Sequence, residues 1–101
     1  MGDHDEYDRD HDDMSLEELR EEIAEIDRDI VDLIARRTYV AHTIADVKAA
    51  RGLETTDAGQ EERVMARALD WADRFDLDRE IVASIFEQLI ELNKVEQRES
   101  R

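Results

Sequence analysis

Cysteine and proline are both absent from this 101-residue chain, glycine occurs three times, and aromatic residues make up 5% of it. Without cysteine there is neither a disulfide framework nor thiolate chemistry. Without proline nothing forces a helix to break or kink. No apolar run approaches the roughly 20 residues that a membrane-crossing helix needs. The N-terminus is acidic where a secretory leader starts basic and then turns apolar, so a cytoplasmic location is expected. Positive charge is scarce as well: 14 Lys and Arg stand against 29 Asp and Glu, a net charge of −15. That balance argues against nucleic acid and anionic membrane as partners, since both reward the opposite sign. Only Lys48 and Lys94 are lysines, the other cations all being arginine.

What is present is helical patterning. Residues 1–14 form an acidic stretch with almost nothing to bury, expected to be a disordered tail, as are residues 99–101 at the other end. His4 and His11 lie among aspartates in that tail, but a flexible segment bears the whole ordering cost of holding an ion, and no metal site is expected. The folded region is placed at residues 15–98. Ser15 followed by Glu18 is a capping box, and no glycine interrupts the chain from there to Gly52, which predicts one long helix over about 16–50. Arg51 and Gly52 supply a cationic last turn and a left-handed cap. Asp57 is the expected N-cap of a second helix, with Gln60 at its capping-box position, and that helix runs to about residue 75. Asp76-Leu77-Asp78 reads as a turn with Asp78 capping a third helix to about residue 97. No segment alternates with a period of two, so the fold is all-α, one long helix and two shorter ones.

The apolar stripe of the long helix runs Leu16, Leu19, Ile23, Ile26, Ile30, Leu33, then Arg37 where a hydrophobe is due, then Val40, Ile44 and Val47. Thirty-five helical residues extend about 50 Å, whereas a compact monomer of this length has a radius of gyration of about 13 Å. The overhang stays apolar, which predicts a second chain and, as the commonest solution, a two-fold antiparallel homodimer. A second row beside the stripe begins at Arg20 and ends at Lys48, about 42 Å apart along the axis, so a small ligand meets both only if the two come from different chains. Arg37 and Lys48 are separated by about 16 Å, a gap that two long side chains and a small dianion can close. Each polar residue has a bland reading by itself. Arg37 can snorkel to water, Arg20 can pair with Glu17 or Glu21, Lys48 can complement the helix dipole, and Asn93 and Gln97 can be ordinary amides near a helix end. Their convergence on inward rows, in a chain with abundant exterior for polar groups, favours an anion site. Cations and neutral amides can hold carboxylates and stabilise charge developing on an oxygen without covalent catalysis.

With those residues set out, the chain resembles the all-helical chorismate mutases over residues 16–97. The matching pieces are Leu19-Arg20-x-x-Ile23-x-x-Ile26-Asp27, Leu33-Ile34-x-Arg36-Arg37, Val47-Lys48, Asp57-x-x-x-Glu61, Leu77-Asp78 and Asn93-x-x-x-Gln97, in order and at the expected intervals. The resemblance implies an intertwined helical dimer with two composite sites that rearranges chorismate to prephenate, on the route to phenylalanine and tyrosine, without a cofactor. It implies that Arg37 and the partner's Arg20 clamp two substrate carboxylates, and that Lys48 and Gln97 donate to the ether oxygen. Glu61, near Asp57, accepts from the ring hydroxyl, and Asn93 occupies a small polar position near a carboxylate. Relatives commonly carry Arg just before the helix 2 glutamate, and here that place is Gln60, which thins the cationic wall. Together with the acid-covered, lysine-poor surface, the resemblance leads to the expectation of a halophilic archaeal source. Two other readings stand beside it: isochorismate pyruvate lyase, which uses a similar cation set, and a non-catalytic helical dimerisation or regulatory module.

Overall fold

The computed structural model describes residues 13–54 and 58–99. They form three helices, α1 (Leu16–Ala50), α2 (Ala58–Arg74) and α3 (Arg79–Glu99), with no strand among the described residues. None of these helices is long and apolar enough to cross a membrane. Residues 1–12 of the acidic stretch, the expected cap Asp57, and residues 100–101 lie outside the described residues.

Local chemistry explains each boundary that is described. At the start of α1 the Ser15 N–H donates to Glu18 Oε1 at 2.9 Å and the Glu18 N–H donates to Ser15 Oγ at 3.1 Å, the reciprocal pair of a capping box. At its end Gly52 adopts a φ of 72°, the Leu53 N–H donates to the Lys48 carbonyl at 2.8 Å, and the Gly52 N–H donates to the Ala49 carbonyl at 3.1 Å. That is a Schellman motif, which closes the last carbonyls of the helix. The end of α2 repeats it with a non-glycine residue: Asp76 takes a φ of 58°, and the Leu77 N–H donates to the Ala72 carbonyl at 2.8 Å. Aspartate is among the few residues that tolerate this region. Two residues on, Asp78 Oδ1 accepts from the Ile81 N–H at 2.9 Å and caps α3, as its place in the sequence predicts. Arg79 pairs with Asp73 across this turn.

The chain divides into two compact units at Ile34 and Ala35, inside α1. The first contains, among the described residues, the N-terminal part of α1, with Ile23, Ile26, Ile30 and Leu33 exposed. The second contains the rest of α1 and the α2–α3 pair, an αα-hairpin. Its core centres on Ala68 and Ala72 of α2, which are 0% and 1% exposed. Small residues at the contact let two helix axes approach closely. Phe86, Leu89, Ile90 and Asn93 follow at helical spacing along the inward side of α3.

The capping box carries a pH dependence. The Ser15 backbone N–H, and then its hydroxyl, hold the Glu18 carboxyl below the usual carboxylate range. A carboxyl depressed in the folded state contributes stability above its unfolded pKa and loses it as pH falls through the folded value. Amide exchange should therefore show the Glu18 and Leu19 N–H groups losing protection on acidification, relative to their intrinsic rates. The dependence should weaken in Ser15→Ala, which keeps the backbone donor, and vanish in Glu18→Gln, which removes the titrating carboxyl, while α2 is unaffected.

Candidate active site

Arg37 and Thr38 are successive residues of α1, and both reach Asn93 on α3. Arg37 Nη1 donates to Asn93 Oδ1 at 2.6 Å, and Asn93 Nδ2 donates to Thr38 Oγ1 at 3.1 Å. Asn93 is 9% exposed, and its amide uses both ends on α1. Two turns earlier on α3, the Phe86 ring lies 6.0 Å from the Arg37 guanidinium carbon, at the outer reach of a cation–π contact. Arg37 is half-buried, and its pKa is held below the ordinary arginine range, first by burial and then by repulsion from Arg67. An arginine lowered in this way is still a cation at neutral pH. Among the described residues its partners are a neutral amide, an aromatic ring and another cation, and none is a carboxylate. In a chain with 29 acidic residues, a half-buried guanidinium without a carboxylate partner is suited to receiving an anion from outside.

Glu61 stands in the first turn of α2, where its carboxylate Oε2 lies 3.1 Å from Lys94 Nζ on α3. The pair flanks a groove of about 720 Å³ between α2 and α3, with Met65, Leu69 and Ile90 in its apolar lining. Arg37 is thus joined to Asn93 and Glu61 to Lys94, consecutive residues of α3. Lys48 is half-buried in the last turn of α1, and its carbonyl accepts the capping bond from Leu53. Arg20 belongs to the other unit, where it is exposed and its Nη1 lies 3.8 Å from Glu17 Oε1. Asp57 lies outside the described residues, as does the side chain of Gln97, whose backbone continues α3 one turn beyond Asn93. Gln60, in the place where Arg is usual, accepts from Arg63 Nε at 3.1 Å through its Oε1.

Three residues of this arrangement escape a reading of spacing alone. Thr38 matters because it takes the second half of the Asn93 amide. Arg67 lies three residues after Val64 and four before Trp71, at the margin of the apolar face of α2, and is exposed. Lys94 was visible only as one of two lysines.

A family model of chorismate mutase type II matches residues 19–98. A chorismate mutase of Methanocaldococcus jannaschii is 34% identical over 84 residues, covering 83% of this chain and 85% of that protein. No solved structure matches. An all-α chain with these similarities is an isomerase by class. It belongs to the chorismate mutase type II family.

The neutrality of Asn93 is testable. Asn93→Asp places a carboxylate against the guanidinium, so the protein should fold at least as stably while the internal anion competes with the incoming one. The KM for chorismate should rise roughly tenfold or more, the scale of one unit charge a few ångströms away at an intermediate dielectric. Equal KM values in steady-state assays of the two proteins would contradict this role.

Proposed function

We propose that this chain rearranges chorismate to prephenate as a homodimer in which each of two sites draws cations from both protomers. The observation that carries the reading is the half-buried Arg37, held on a neutral amide and left to receive a carboxylate. In this mechanism Arg37 and the partner's Arg20 clamp the two carboxylates of the substrate and hold its reactive diaxial conformer. Lys48 and Gln97 donate to the ether oxygen, which gains negative charge as its bond to carbon stretches. Donors aimed at that atom favour the transition state over the ground state. Glu61, in the neighbourhood of Asp57, accepts from the ring hydroxyl, and Asn93 sets the Arg37 guanidinium in place. The step is unimolecular, and these groups bind, orient and polarise without forming a bond to the substrate.

The dimer is supported by what one chain leaves uncovered. No residue of α1 is buried, and along its stripe Ile23 is 58% exposed, Ile30 49% and Val40 54%. Covering the exposed half of each such side chain contributes about 1 kcal/mol, summed along a helix of 35 residues in each protomer. An antiparallel partner helix satisfies that surface, and it also brings the Arg20 end of one chain toward the Arg37–Lys48 half of the other.

Two experiments test the reading. Arg20→Ala and Arg37→Ala should each be nearly inactive alone. Mixed under conditions of demonstrated subunit exchange, they should recover part of the activity through hybrid dimers that keep one intact site, and absence of recovery would contradict shared sites. Lys48→Ala should lower kcat by roughly a hundredfold or more, the usual loss on removing a donor to a developing oxyanion. A change confined to KM would remove Lys48 from the ether oxygen. Supplying chorismate and isochorismate in parallel, with detection of prephenate against salicylate and pyruvate, separates the mutase from the lyase.

A further inference from the structure

We propose that Lys94 is a positioning residue for the reaction: its ammonium fixes the Glu61 carboxylate across the α2–α3 hairpin and cancels its charge, so that a dianion can settle beside it. The proposal rests on the reading that Glu61 faces the substrate. Asn93 and Lys94 are consecutive on α3, and helical geometry turns their side chains to different neighbours. Asn93 reaches α1 and holds the site's cation, whereas Lys94 reaches α2 and holds its anion at 3.1 Å. One short stretch of α3 therefore sets the positions of both charges.

The electrostatic need for Lys94 follows from the ligand. An ionised carboxylate is an acceptor only, and in a site built for a dianion it repels its own substrate unless a cation offsets it. The contact engages Glu61 Oε2 and leaves Oε1 for a hydroxyl donor. Lys94 is also the single cation among the described residues lining the α2–α3 groove, where Glu62, Glu87 and Glu91 add three more acids. Each partner of the pair is about one third exposed, and an ion pair that open to water is worth little to folding. A lysine kept there, in a chain with only one other, therefore serves the charge of the site more than the stability of the hairpin. It acts through Glu61 and touches no reacting atom.

The test is a double-variant cycle in steady-state kinetics with chorismate, using wild type, Lys94→Met, Glu61→Gln and the two combined, with melting curves to show that each is folded. Lys94→Met is expected to raise KM roughly tenfold at low salt, with a smaller change in kcat, because an uncancelled charge is then placed near the ligand. At molar salt, where the screening length is about 3 Å, the increase should shrink. Lys94→Arg should restore KM. In the Glu61→Gln background Lys94→Met still removes one positive charge, so KM should rise there too, but the accompanying change in kcat, which comes from releasing the Glu61 carboxylate, should disappear. An unchanged KM for Lys94→Met in the wild-type background would overturn the proposal, and so would a kcat change of equal size in both backgrounds, which would show that Lys94 acts without Glu61. The reading of Glu61 fails separately: undiminished kcat in Glu61→Gln alone would remove it as the hydroxyl acceptor, while the Lys94 proposal stands or falls on its effect on KM and on whether its effect on kcat requires the Glu61 carboxylate.

Discussion

The apolar stripe of α1 is the constraint from which the rest follows. It continues from Leu16 to Val47 at helical spacing, and no residue of the helix is buried within one chain. Apolar surface of that extent is costly in water and favours a second copy, because identical stripes laid antiparallel are self-complementary. The same geometry accounts for cations spread too far along one helix to meet around one small ligand. In the proposed dimer, assembly and site are one arrangement: the surface that would drive pairing would also carry Arg20 and Lys48 of different chains into each other's neighbourhood.

In the proposed mechanism the chemistry depends on charge left incompletely neutralised. Arg37 is half-buried, close enough to Arg67 to feel it, and bonded to an amide that stabilises without cancelling its charge. Asn93 is the most buried polar side chain described, and orienting the guanidinium uses both ends of its amide. Such preorganisation is the main resource available to an enzyme of a unimolecular rearrangement, which has no nucleophile to activate and no proton to move. Glu61 lines a groove with three further acids, and its pairing with Lys94 sets the one described cation of that groove against it. In concentrated salt, exposed charges would be screened within a few ångströms, so the partial burial of Arg37 preserves its reach.

Most of the fold was legible because its boundaries are short-range chemistry. The Ser15–Glu18 box, the Gly52 cap and the Asp78 cap each involve residues within a turn of one another, and each forms as the local pattern requires. The left-handed Asp76 was visible only as part of a turn, since aspartate is common in many turn types and its φ is set by the Schellman bonds around it. At the site, Arg37 and Asn93 stood out as polar residues on apolar faces, and they are in contact. Lys94, Arg67 and Thr38 did not, because their importance lies in pairings across helices, and spacing along one helix carries no record of which face of another it meets. The family likeness supplied roles for Lys48, Gln97, Asp57 and Arg20 that no single-chain geometry provides.

Sedimentation equilibrium across a dilution series, carried down to the concentrations at which chorismate is turned over, tests the central claim most directly. The mass of two chains is expected throughout the active range, with catalysis disappearing where the single-chain mass takes over. Undiminished turnover by single chains would contradict it.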